Sequence, residues 1–146
     1  MLSKKSEYAI IALVYLAKNN SDMPIPVREI AENENIPDKF LGEIMLHLRN
    51  AGIVKSKGGS KGGYSLQLKA EEISTAKIVR LFDGAIGLVA CVAEKHYQRC
   101  EECKNEETCG LRSIFADIRT ETIRLLEKAT LKEIIYRSST MDFNSQ

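Results

Sequence analysis

Tryptophan is absent from this chain of 146 residues, and aromatic residues make up only 6% of it. Any core must therefore be built mostly from Leu, Ile, Val and Ala, which an apolar content of 44% can supply. Net charge is also lacking: the formal total is +1, so overall charge points to no partner. Long hydrophobic runs are missing as well. The apolar stretch from Tyr8 to Ala17 follows Lys4 and Lys5 as in a signal peptide. It is too short to span a bilayer, Glu7 interrupts its approach, and "YLAKNN" offers no cleavage site. It reads as a buried helix of a cytoplasmic protein without a membrane segment. The Gly-rich "GGSKGG" lacks the residue order of a nucleotide phosphate loop, and no catalytic triad or nucleotide-binding pattern accompanies it. An enzyme is not expected.

Cysteine is absent from the whole chain except one stretch, "CVAEKHYQRCEECKNEETC", which runs from Cys91 to Cys109. Its four thiols are spaced C-x8-C-x2-C-x5-C in a segment too polar to be core. In a cytoplasmic protein, clustered thiols point to metal or redox chemistry rather than to disulfides.

The remaining pattern divides the chain. Ser3 is placed to cap a helix over Lys4–Lys18, whose apolar positions surround most of its circumference and make it central. "NNSDMPIP" is a loop. Pro26 opens a second helix, "PVREIAEN", and Pro37 opens a third, "PDKFLGEIMLHLRNAG", in which Phe40, Leu41, Ile44, Met45 and Leu48 share a face and Gly52 ends the helix. "IVKSKGGSKGGYSLQL" then reads as a β-hairpin with a Gly-rich tip. Two helices joined by a tight turn, followed by a hairpin, is the order of a winged helix-turn-helix. Ser74 or Thr75 caps a short helix ending at Gly84. The cysteine loop follows, then a long helix from about Gly110 to Lys128 and a last helix capped by Thr130. The fold class is thus mainly α with a small β-hairpin. The domains are a winged helix-turn-helix over 1–69, the loop and further helices over 70–137, and a disordered tail over 138–146.

Residues 1–69 hold ten Lys and Arg against seven Asp and Glu, and Gly52–Tyr64 holds three lysines and no acid. A local basic patch on a neutral chain suits a polyanion partner. Candidate contacts to double-stranded DNA are Arg28 on the second helix and Lys39, Phe40, Glu43, His47 and Arg49 on the third. Lys55, Lys57, Ser60, Lys61, Gly62, Gly63 and Tyr64 follow on the hairpin. Lys39 and Glu43 lie four apart and can face a groove together, while hairpin glycines and lysines suit phosphate or minor-groove contact. Arg28 and the hairpin lysines could equally be solvated surface residues, and His47 a structural polar group.

Thiolates select iron–sulfur clusters, zinc or copper(I). Cys91, Cys100, Cys103 and Cys109 can complete an all-thiolate site. Four thiolates also suit zinc, although only Cys100 and Cys103 have the close spacing of structural zinc pairs. A thiol–disulfide switch with Cys100 or Cys103 as resolving thiol, and thiols without a role, remain open. Two other classes are a redox protein using the loop alone and a zinc protein that binds another protein through its wing.

The segments "KKSEYAIIALVYLA", "VREIAENENIPDKFLGEIMLHLRNAGIVKSKGGSKGGYSL", "EEISTAKIVRLFDG" and "TLKEIIYRS" resemble the Rrf-two family of bacterial winged-helix regulators over roughly residues 1–137. The resemblance implies a cytoplasmic homodimer that binds a palindromic operator, with the long helix as its dimerisation helix. It also implies an iron–sulfur cluster, 2Fe–2S or 4Fe–4S, whose loss to oxidation or nitric oxide changes operator binding. Cluster-binding members carry three cysteines here, matched by Cys91, Cys103 and Cys109. Cys100 is extra, the gap after Cys91 is longer, and Arg112 stands where some members have a histidine ligand. A fourth ligand could then be Cys100, His96 or Glu7 of the partner subunit. Gly42 replaces a common glutamate on the third helix and the wing lacks the usual arginine, so the operator sequence does not transfer.

Overall fold

A computed structural model describes residues 2–20 and 23–143. The first helix, α1 (Lys4–Lys18), begins where Ser3 accepts a hydrogen bond from the Ser6 amide at 3.1 Å. Its buried face is Ser6, Ala9, Ala12, Leu13 and Leu16. Small residues at the first three of these positions let neighbours come close, and α1 touches α2 (Val27–Glu34), α3 (Asp38–Asn50), α4 (Thr75–Phe82) and α6 (Leu131–Phe143). The expectation that α1 is central is met.

Pro26 and Pro37 each stand one residue ahead of their helices, as caps with φ of −60° and −58°, rather than inside the first turn. Asn35 turns the chain between α2 and α3 in the left-handed region at φ 53°, which a short amide side chain tolerates. Leu41, Ile44, Met45 and Leu48 of α3 are fully buried. Burying each such side chain contributes about 1.5–3 kcal/mol before entropic costs. Gly52 at φ +72° closes α3: its amide bonds the Arg49 carbonyl at 2.9 Å and the Ile53 amide bonds that of Leu48 at 3.0 Å. This pair of crossed bonds satisfies carbonyls that the helix end would otherwise leave unpaired.

The hairpin pairs β1 (Val54–Lys57) antiparallel with β2 (Gly63–Leu66), Val54 facing Leu66 and Lys57 facing Gly63. Ile25, in the loop before α2, adds a further bridge to Tyr64 through two reciprocal 2.8 Å hydrogen bonds. The sequence reading of that segment as loop did not anticipate this pairing; Ser21 and Asp22 of the same stretch lie outside the described residues.

Ser74 caps α4 by accepting from the Lys77 amide at 3.3 Å. A long helix, α5 (Gly110–Lys128), occupies the predicted span. A second, smaller cluster joins Ala76, Val79 and Ile86 to Ile123 and Leu126 of α5. Two backbone bonds, from Thr75 to Ala129 and from Leu131 to Ile73, fasten the α5–α6 junction to the start of α4. Among the described residues no helix is long and apolar enough to cross a membrane.

The tail differs from expectation. A disordered segment was predicted for 138–146, but α6 continues through Phe143, and 144–146 lie outside the described residues. In this polar run Ser138, Ser139 and Thr140 each donate to a helix carbonyl three or four residues back.

Candidate functional site

Two sites emerge, one on the N-terminal face and one at the cysteine loop. On the first, Lys39, Glu43, His47 and Arg49 are exposed on α3, and Lys55, Lys57, Ser60 and Lys61 are exposed on the hairpin. The side chains of Lys39, Glu43, Arg49 and the three hairpin lysines make no hydrogen bond or ion pair among the described residues. Arg28 is different: its Nε donates to Glu32 at 2.8 Å, and the carboxylate holds the guanidinium pKa above its ordinary value. Phe40 and Tyr64 lie at the margin of the core. Phe40 meets Tyr8 edge to face at 5.7 Å. His47 is stacked on Phe82 of α4.

Gly62 and Gly63 hold the wing rather than merely allow approach by a ligand. A Cβ at Gly62 would lie 2.3 Å from the Lys57 carbonyl oxygen, and one at Gly63 would lie 2.3 Å from the Ile25 backbone. Ile25 is thus a residue of the wing's seating that sequence periodicity did not signal.

The second site starts at a 3₁₀ turn over Ala90–Val92 and ends at Cys109, the cap of α5. The Cys109 sulfur accepts from the Arg112 amide at 3.4 Å, which places it against the free N–H groups of the helix start. The Cys103 amide bonds the Cys100 carbonyl at 3.1 Å, forming a tight C-x2-C turn, and the Cys100 thiol donates to Glu102 at 3.3 Å. Burial pushes the Cys103 thiol pKa up, and the neighbouring Cys109, Cys100 and Glu106 raise it further. All four sulfur-bearing residues line one cavity of about 460 Å³, together with Glu102, Glu106, Arg99, Arg112, Leu111 and Phe115.

His96 is not among the residues lining this cavity; its backbone turns at φ 59°. Glu7 is not among them either, and accepts from Lys4 Nζ at 2.8 Å. Within one chain the cavity therefore offers thiols and the carboxylates of Glu102 and Glu106, without imidazole. Among the described residues no three Cys, His, Asp or Glu side chains are already drawn to metal-ligand positions. The donor chemistry suits a thiolate-held group, because all four cysteines line the same cavity. The thiols are free, so binding would displace their protons and tighten the loop.

Arg112, which sequence spacing marked only as a lost ligand, has a structural role. Its Nε donates to the Cys91 carbonyl at 3.3 Å, tying the first cysteine to the start of α5. Arg119, two turns further along the same side of α5, donates to the Val92 carbonyl.

A helix-turn-helix with a lysine-bearing wing, joined through a thiol-lined loop to a long helix, defines a winged-helix DNA-binding regulator. The chain belongs to the Rrf2 family: the family's model, described as an iron-dependent transcriptional regulator, matches residues 2–137. An Rrf2-like HTH-type transcriptional regulator of Rhodobacter capsulatus is 35% identical over 138 residues, covering 92% of each chain. The HTH-type regulator IscR of Pectobacterium carotovorum is 26% identical over 141 residues, covering 97% of this chain and 82% of its own. Among solved structures, CymR, the global cysteine regulator of Bacillus subtilis, superposes with a TM-score of 0.76 at 28% identity, covering 92% of this chain and 95% of that one. These relatives are HTH-type transcriptional regulators and not enzymes.

Proposed function

We propose that this transcriptional regulator is a cytoplasmic homodimer whose grip on a palindromic operator is set by an iron–sulfur cluster held by Cys91, Cys103 and Cys109, with Cys100 as fourth thiolate. The observation that carries the reading is that all four cysteines line one cavity at the start of α5. Of the alternatives for the fourth ligand, His96 does not line that cavity. A bound cluster would supply an iron centre that reacts with oxidants or nitric oxide.

The protein's own residues do the rest. Exposed Lys39 and Glu43 on α3 are placed to read base edges, and Lys55, Lys57 and Lys61 to hold phosphates. The dimer reading is supported by α5, which buries no residue within one chain although Leu111, Ile114, Ile118 and Leu125 lie along one side. A second copy of the helix is the occupant that twofold symmetry would supply.

Anaerobic purification with an absorption spectrum and iron, sulfide and zinc assays tests the proposal. Brown protein with stoichiometric sulfide, lost in Cys91→Ala, is expected. Colourless protein with about one zinc per chain would replace the cluster with a structural metal. A second reading, a thiol–disulfide switch on the same fold, draws support from the four free cysteines lining one cavity. Metal-free protein that changes DNA affinity on thiol oxidation would establish it.

A further inference from the structure

We infer that Arg80 is the positioning residue through which the state of the cysteine loop reaches the reading helix α3, an inference that rests on the sensor function proposed above. Arg80 sits on α4, where its Nε and Nη2 donate to the two carboxylate oxygens of Glu94 at 3.0 and 3.1 Å. Its Nη1 donates to Glu127 of α5, whose other oxygen accepts from Ser74 at 3.0 Å. Arg28–Glu32 and Arg137–Glu133 stay within one helix, and Arg112–Glu106, at 4.0 Å, ties the loop to α5 alone. Arg80 instead joins the loop, α4 and α5 at one guanidinium. A two-pronged arginine–carboxylate pair fixes both distance and plane, so Glu94 cannot shift without pulling on α4.

Each end of this connection is itself held. Glu94 lies three residues beyond Cys91, in a segment whose Cys91 and Val92 carbonyls are taken by Arg112 and Arg119. At the other end Phe82, two residues beyond Arg80, stacks on His47 of α3. His47 shares a helix face with Glu43 and Lys39, four and eight residues before it. A rearrangement of the thiols that moves the root of the loop is therefore carried along a short stiff helix to the side chains that face the groove. Asp83, the residue just past the end of α4, accepts from the amide of Ser3, the cap of α1, at 3.2 Å, so that end is tied to the start of α1.

The test uses the full-length protein and a duplex selected by the wild type from a random-sequence library. Affinity is measured with the protein as purified anaerobically and after air oxidation. The wild type is expected to change by about tenfold or more between the two states, and Glu94→Gln by about twofold or less. Metal and sulfide content should remain as in the wild type. Arg80→Lys, which keeps the charge and loses the fork, should fall with Glu94→Gln. Glu127→Gln, which removes the other arm without touching the loop, should keep the response. A full response in Glu94→Gln, or an equal loss in Glu127→Gln, overturns the inference and leaves the sensor reading standing. Equal affinity of both wild-type states sinks both.

Discussion

His47 of α3 lies nearly parallel to Phe82 of α4, with ring centroids 5.9 Å apart and planes 17° apart. The imidazole is thus occupied on one side by an aromatic ring of a helix outside the helix-turn-helix. Phe82→Ala should cost about 2 kcal/mol, since the ring is half-buried and contributes both area and stacking, and His47→Ala about 1 kcal/mol. Urea midpoints at constant slope measure both. Because the stacked imidazole is a support, His47→Ala should retain the discrimination between specific and non-specific duplexes. Lost discrimination would show that His47 reads a base.

The wing makes separable predictions for two adjacent residues. Gly63→Ala drives a methyl group into the Ile25 backbone, so the strand must leave its place and DNA affinity should fall severely at every salt concentration. Lys61→Ala leaves the seating intact and removes one exposed cation. It should weaken binding uniformly across sequences and lower the salt slope by about one. Anisotropy titrations over a salt series distinguish the two.

Oligomeric state follows from the bare side of α5. Ile118 and Leu125 are 41% and 57% exposed in one chain, so placing glutamates there burdens no intramolecular core. The double variant Ile118→Glu, Leu125→Glu should sediment as a folded monomer and bind operator duplex at least about 100-fold more weakly, because the two half-sites are no longer engaged together. A folded dimer would show that another surface joins the subunits.

Acid sensitivity should centre on Arg80. Its guanidinium holds the carboxyls of Glu94 and Glu127 below the ordinary value of 4.5. A group whose pKa is depressed on folding lends stability above its unfolded pKa and withdraws it as pH falls through the folded one. Wild type and Arg80→Gln should therefore differ in urea midpoint at pH 7 and converge as pH drops below about 4.5. A difference that stays constant to pH 3 would remove the ion pairs as its cause.

Much of the local architecture was readable from the chain. Lys4–Lys18 and Gly110–Lys128 were expected as helices and are so. Their limits are set by neighbours such as Ser3, whose capping bond spans three residues. The hairpin followed from strand residues on both sides of a glycine tip, and the thiol cluster from spacing alone. The misses were of another kind. The Arg112–Cys91 bond closes 21 residues and the Arg80–Glu127 bond 47. No local periodicity encodes which arginine meets which carbonyl or carboxylate. Gly62 and Gly63 show a related ambiguity: glycine is required both where a ligand approaches the backbone and where the protein's own backbone does, and here Ile25 and Lys57 provide the crowding.

By itself, the sequence determined that this protein has an aliphatic core, a helix-turn-helix with a lysine-bearing wing, and four sulfurs gathered on one polar segment. These properties depend on residue type and short-range order, which each stretch of chain carries independently of the rest. Only the tertiary structure decided that the four cysteines line one cavity and that Glu94 is gripped from α4. It also decided that the ring of Phe82 supports His47 and that α5 keeps an uncovered apolar side. Such arrangements depend on how α1 brings distant helices together, and close packing fixes that only when the whole chain is in place.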